Sequence, residues 1–223
     1  PAIFEYKYDG FRLQIHKMGK EVVLYTRRLE NVTKQFPEVV SYVRDCVTAK
    51  NCILDAEAIG FDAKTKEYLP FQNISQRIKR KYDIEILAKK LPVEIHVFDI
   101  IAYNGELLIN ESFDKRRELI VKLINSRKWK IVPAKQLITS DEKKAEDFYR
   151  DSLQVGHEGV MIKATDMLYL PGNRAGVMLK LKPIMETLDL VIVGGVWGEG
   201  KRAGWLTSYI LACRDKNKFR TTK

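Results

Sequence analysis

The chain has 223 residues, 39 of them lysine or arginine against 29 aspartates and glutamates, giving a formal net charge of +10 with 45% hydrophobic residues. This length suffices for one full core and part of a second domain, and the cationic excess favours a polyanionic partner through counterion release. No apolar run is long enough to cross a bilayer and no secretory leader is visible; Cys46, Cys52 and Cys213 lack CxxC or metal-ligand spacing, so reduced thiols in an intracellular protein are expected, cytoplasmic or, in a eukaryote, nuclear.

Alternation of apolar and polar residues predicts strands near residues 3–8, 11–16 and 21–26. In the first, Glu5, Lys7 and Asp9 fall on one side and Phe4, Tyr6 and Tyr8 on the other, before Gly10 supplies a sharp turn. Beyond the turn Phe11, Leu13 and Ile15 alternate with Arg12, Gln14 and His16, so the Arg12 guanidinium returns toward Lys7, where it can meet a phosphate. A lysine amine is nucleophilic only when deprotonated and held in line with its target. On residue types alone the segment Lys7-Tyr8-Asp9-Gly10-Phe11-Arg12 reads either as a covalent attachment site or as an exposed hairpin.

A helix is expected over 36–48, then a strand over 52–60 in which Ile53, Asp55, Glu57 and Ile59 share a face. Two carboxylates there suit a divalent cation, although Asp55 fits an ordinary ion pair equally well. After Pro70-Phe71-Gln72 comes a basic, helix-like stretch with Arg77, Lys79, Arg80, Lys81, Lys89 and Lys90, and with Ile74, Ile78, Ile86 and Leu87 as its buried side. It reads as a nucleic-acid surface or as a solvated face. Residues 93–101 form a mostly apolar strand whose Phe98 also suits a β core.

Helices follow near 114–126, carried by Leu119, Ile120, Leu123 and Ile124, and from a Ser140 cap, with Asp141 and Glu142 in the first turn, to just before Gly156. Glu158 starts a strand running to 163, with Val160 and Ile162 opposing Gly159, Met161 and Lys163. The Met161 thioether suits either core filling or the face of a flat ring. Over 177–182, Met178, Lys180 and Lys182 share one face, placing two ammonium groups about 7 Å apart as a cradle for an anion. Gly195 to Lys201 has P-loop spacing, but Arg202 stands where a hydroxyl is needed, so 188–193 and 206–212 read as two strands joined by a basic, glycine-rich loop.

Six segments in order, Lys7–Arg12, Thr26–Asn31, Leu54–Glu57, Val97–Ile100, Glu158–Lys163 and Leu179–Pro183, resemble the motif blocks of the covalent nucleotidyltransferase superfamily and, within it, the ATP-dependent DNA ligases of archaeal and eukaryotic type. Ala56 stands where that family more often has glycine. The resemblance implies an α+β fold: an adenylation (nucleotidyltransferase) domain of mainly antiparallel β-sheets flanked by helices over 1–185, then the start of an OB-fold β-barrel over 186–223. The rest of that barrel, with its basic sixth block, and an N-terminal DNA-binding domain are not in this sequence, so weak self-adenylation and nick sealing are expected of the chain alone.

By the same resemblance Lys7 is the catalytic nucleophile, and Glu5, Arg12, Arg27, Glu57, Phe98, Met161, Arg174, Lys180 and Lys182 bind the nucleotide, with Phe98 and Met161 sandwiching adenine. Glu57 and Glu158 hold Mg²⁺ or another divalent metal. The implied cofactor is ATP and the implied partner nicked duplex DNA, with a sliding clamp or repair factors reached through regions absent here, in replication, repair or recombination. The implied reaction has three phosphoryl transfers: AMP to lysine, AMP to the 5′-phosphate of the nick, and displacement of AMP by the 3′-hydroxyl. The cysteine pattern argues against the NAD-dependent bacterial ligases with their four-cysteine zinc module. An RNA ligase or mRNA-capping enzyme, and a non-catalytic basic nucleic-acid-binding domain, are the alternatives.

Overall fold

The alternating runs fold as strands and the 3.6-period runs as helices in the computed structural model, which describes residues 1–172, 178–184, 187–215 and 218–221. In chain order the elements are β1 (Ala2–Lys7), β2 (Phe11–Met18), β3 (Glu21–Thr26), α1 (Pro37–Cys46), β4 (Asn51–Gly60), α2 (Phe71–Ile78), α3 (Ile84–Lys90), β5 (Val93–Tyr103) and β6 (Glu106–Leu107). There follow α4 (Phe113–Leu123), β7 (Ile131–Pro133), β8 (Gln136–Thr139), α5 (Glu142–Gln154), β9 (Gly159–Lys163), β10 (Met178–Leu181), β11 (Leu190–Trp197), β12 (Leu206–Asp215) and β13 (Lys218–Thr221). No helix among the described residues is long and apolar enough to cross a membrane.

The chain divides into two compact units, Pro1–Pro183 and Ile184–Lys223. The first holds two sheets. The larger runs β3-β2-β4-β5-β6, with β7 added alongside β5 in parallel; the smaller runs β10-β9-β1-β8 in antiparallel pairs. The larger sheet carries Leu13, Ile15, Leu24, Leu54, Ile95 and Ile100 against Val39 and Val43 of α1 and Ile120 of α4, all buried. A second apolar cluster joins the sheets: Tyr6 and Tyr8 at the end of β1, Val160 of β9 and Phe148 of α5 pack with Ile59 of β4. Phe4, Tyr6 and Tyr8 thus occupy this packed side, which leaves Lys7 on the other face of β1.

In the second unit β11, β12 and β13 form an antiparallel sheet, with Leu190 opposite Cys213 and Ala212 opposite Thr221. The glycine-rich loop between β11 and β12 contains a short turn of helix at Gly200–Arg202.

Several elements end where tertiary pairing overrides local pattern. The helix expected over 114–126 stops at Leu123 because Ile124 takes an extended conformation and bridges to Val47. The cap of α5 is Asp141 rather than Ser140, its carboxylate accepting from the Lys144 amide at 3.1 Å. The basic stretch after Pro70 is not one helix: Asp83, at φ 54°, breaks it into α2 and α3. Ile86, expected on its buried side, is 66% exposed.

Arg77, read as part of a basic surface, is 1% exposed. Its guanidinium donates to Glu38 at 2.6 Å and to the carbonyls of Leu91 and Gln35 at 2.8 Å each, and it lies 4.4 Å from the centroid of the Phe36 ring. That cation ties α2 to α1 and to the segment after α3, so the solvent-facing charges of the stretch are Lys79, Arg80, Lys81, Lys89 and Lys90.

Candidate active site

The two sheets of the first unit enclose a cavity of about 640 Å³. The smaller sheet contributes Glu5 and Lys7 from β1, Met161 and Lys163 from β9, and Met178 and Lys180 from β10. The larger contributes Arg12, Thr26, Glu57 and Phe98, with Arg27 and Glu30 at the rim and Phe71, Ser75, Ile78 and Lys79 from α2 and its end.

Lys7 ends β1 opposite Gly159, and the Glu158 amide donates to the Lys7 carbonyl at 2.8 Å, so the backbone sets the acid beside the lysine. The Lys7 ammonium donates to Glu158 Oε2, and Lys182 Nζ reaches the same oxygen at 2.8 Å. Gly159, at φ +130°, makes this approach possible: a Cβ there would collide with the Leu181 carbonyl and crowd Lys182. Burial works against the Glu158 carboxylate, but bonding to Lys182 and Lys7 outweighs it and holds the group below the usual carboxylate range. The same contact raises Lys182.

Gly10 is needed for a reason other than the one its position in the turn suggests. Its backbone does not adopt positive φ; instead a Cβ would strike the Ala58 carbonyl and touch Glu57, so the glycine lets the turn lie against β4. Antiparallel register then pairs Arg12 with Glu57 across β2 and β4. Asp55, left open between metal ligand and ion-pair partner, is 0% exposed and binds the Arg12 fork, Nε to Oδ1 at 3.3 Å and Nη2 to Oδ2 at 2.5 Å. Tyr169 Oη donates to Asp55 Oδ2 and accepts from Arg12 Nη2, 2.8 Å each.

Glu57 behaves differently. Burial pushes its carboxyl up to about 8, with Lys7 and Arg12 opposing and Glu158 and Asp9 adding to the rise. It forms no ion pair within 4.0 Å among the described residues. A partly buried acid with no cation of its own has the chemistry of a metal ligand, and Mg²⁺ needs only one or two protein carboxylates beside phosphate oxygens and water. The described residues contain no group of three or more acidic, histidine or cysteine side chains placed to hold a metal; Glu57 lines the cavity, while Glu158, the other expected ligand, is bound to Lys7 and Lys182.

Phe98 and Met161 both line the cavity, one from each sheet, as a sandwich around a flat base requires. Met161 lies in register between Glu5 and Lys180. Glu5 is 2% exposed and already engaged, with Lys163 Nζ at 2.5 Å and Gln136 Nε2 at 3.2 Å. Lys163, to which sequence reasoning gave no role, lies 5.5 Å from the centroid of Phe98. Its signal was present: it shares the strand face of Met161, two residues on. Tyr169 carried no such signal, since it lies in irregular chain after β9.

Arg27 is exposed in a turn whose amides at Arg28 and Glu30 both donate to Thr26 Oγ1 at 3.3 Å. Lys180 and Lys182 do not act as the symmetric pair their spacing suggests. Lys180 lines the cavity, whereas Lys182 lies past the end of β10 and is bound to Glu158. Arg174 lies outside the described residues.

Comparison with known proteins places this geometry in context. Residues 1–182 match the family described as the ATP dependent DNA ligase domain. A DNA ligase of Nanoarchaeum equitans is 56% identical over 217 residues, 97% of this chain and 38% of the relative, and one of Methanopyrus kandleri is 46% identical over 214 residues, 96% of this chain and again 38% of the relative. The chain therefore spans under two fifths of the length of these relatives. Among solved structures, a mycobacterial DNA ligase D complexed with ATP and MES superposes with a TM-score of 0.62 at 25% identity, over 100% of this chain and 65% of that one. With most of its length matched to the family and the ordered blocks gathered around one cavity, the chain belongs to the ATP-dependent DNA ligase domain family.

Proposed function

We propose that Lys7 is the nucleophile of a self-adenylation reaction, and that the protein to which this chain belongs uses the lysine-linked AMP to seal nicks in duplex DNA. In the first step the Lys7 nitrogen bonds to the α-phosphorus of ATP, the bond to the bridging oxygen breaks, and pyrophosphate leaves. The amine sheds its proton to solvent before it attacks, with Glu158, which accepts its hydrogen bond, holding the nitrogen in place. Arg12, Lys180 and Lys182 neutralise charge on the phosphate oxygens, and Phe98 and Met161 hold the base, so that the protein acts mainly by positioning and electrostatics.

Glu57 and Glu158 would hold a divalent cation, which supplies charge neutralisation at the phosphates. Transfer of AMP to a 5′-phosphate and its displacement by a 3′-hydroxyl complete the cycle. Any contacts with a sliding clamp or repair factors would run through the parts of the longer relatives that this chain does not match.

The observation that carries this reading is Lys7 itself: a lysine that lines a cavity able to take a nucleotide, held by an acid that also binds a second cation. Prolonged incubation with ATP and Mg²⁺, followed by intact mass and peptide mapping, tests it. An AMP adduct on Lys7, absent with GTP and absent in Lys7→Ala, is expected; no adduct, a GMP adduct, or one on another residue overturns the proposal.

A further inference from the structure

The Arg12, Asp55 and Tyr169 side chains close a three-way hydrogen-bonded ring with edges of 2.5, 2.8 and 2.8 Å. Two members stand on the larger sheet, Arg12 in β2 and Asp55 in β4. Tyr169 comes from the irregular chain that follows β9 of the smaller sheet, and of the three only Arg12 lines the cavity. The Arg12 Nε–H goes to Asp55 Oδ1, and the two hydrogens of Nη2 go to Asp55 Oδ2 and Tyr169 Oη. Nη1 has no hydrogen bond among the described residues, so its two hydrogens are the part of the guanidinium available to a ligand.

The tyrosine is itself held in place. The residue is 9% exposed, its amide donates to the Ile109 carbonyl at 3.0 Å, and the Arg116 guanidinium lies 5.9 Å from its ring centroid. Arg116 in turn is fixed by Asp99 at 2.8 Å and by the Met167 carbonyl at 3.3 Å. An Asp55 carboxylate alone holds the fork unevenly, at 3.3 and 2.5 Å, which leaves the plane free to rock about the short contact. The phenol fills the second site on Nη2 and removes that freedom.

We propose that Tyr169 is a positioning residue: its hydroxyl locks the Arg12 plane so that Nη1 meets the nucleotide phosphate. This rests on the self-adenylation reading above and adds a residue to it. Tyr169→Phe deletes one oxygen and keeps the ring against Arg116.

The experiment follows single-turnover AMP-adduct formation by mass spectrometry against ATP concentration for wild type, Tyr169→Phe, Arg12→Gln and the double variant, with melting temperatures alongside. For Tyr169→Phe the ATP concentration at half-maximal rate should rise about tenfold, as for a lost hydrogen bond to a charged group, while the maximal rate changes less than about twofold. In the Arg12→Gln background the same change should add nothing. A Tyr169→Phe enzyme that matches wild type, a loss confined to the maximal rate, or two factors that multiply in the double variant, as a purely structural role for the tyrosine predicts, would each overturn the inference. Should Tyr169→Phe melt much earlier, Tyr169→His, which retains a hydrogen-bonding group, must recover ATP affinity. No adduct in wild type would instead sink the self-adenylation reading.

Discussion

Replacing Glu57 by glutamine should stabilise the first unit by an amount that grows with pH. The carboxyl rises from 4.5 to about 8 on folding, chiefly through burial, so the folded chain keeps a proton that the unfolded chain releases. Its contribution to stability is whole below pH 4.5 and is lost as pH climbs toward 8. Glutamine resembles the protonated acid but does not titrate. Integrating over the two values, the advantage of Glu57→Gln is negligible at pH 4, about 1 kcal/mol at pH 5 and about 3 kcal/mol at pH 7. Water in the cavity screens the carboxylate and trims the last figure toward about 2 kcal/mol. Urea unfolding in chelator and without nucleotide, at pH 5 and pH 7, measures the difference between variant and parent, in which the other titrating groups largely cancel. An increment that is flat or shrinks with pH would refute the claim that this acid is buried at a cost. If Glu57 holds a cation as proposed, the same variant should also lose adduct formation.

The affinity of the wild-type chain for Mg²⁺ should rise close to tenfold per pH unit between about 6 and 7.5, because binding displaces the Glu57 proton; isothermal titration at several pH values reads this directly, and a flat profile would place the cation elsewhere. Arg77→Ala should cost about 3–5 kcal/mol by leaving Glu38 and two carbonyls without their buried cation, whereas Arg80→Ala, at an exposed pair with Asp83, should leave urea stability within about 0.5 kcal/mol. Gly159→Ala should destabilise by about 1–3 kcal/mol and weaken ATP binding, because the collision with the Leu181 carbonyl shifts β10, which carries Lys180, and moves the following Lys182 off Glu158. Leu54→Ala, at a fully buried position of the larger sheet, should cost about 2–5 kcal/mol while leaving the ATP requirement of adduct formation unchanged in any protein that remains folded.

Strand alternation made much of this layout legible. A period of two put Lys7 on the side of β1 opposite Tyr6 and Tyr8, and Met161 on the face of β9 opposite Val160, and those are the sides the structure turns to the cavity and to the packed cluster. What alternation does not encode is the partner across space. Asp55 and Glu57 look alike along the chain, yet one is satisfied by Arg12 and Tyr169 while the other forms no ion pair among the described residues, a difference that lies in residues up to 114 positions away. Arg77 could not be told from Lys79 by charge, because its burial depends on Glu38 and on carbonyls contributed by two other segments. The short strands β7 and β8 were missed for a related reason: at three and four residues they carry too few alternations to read, and they exist because β5 and β1 offer edges to pair with.

β1 is an interior strand, hydrogen-bonded to β8 on one side and β9 on the other, and the carbonyl of its last residue is pinned by the Glu158 amide. The root of the Lys7 side chain is therefore tied to β9, and its nitrogen reaches away from the strand on four methylene groups. Anything fastened to that nitrogen moves like a boat on a short mooring. If Lys7 carries AMP as proposed, the acceptor would have to come to the end of that short tether.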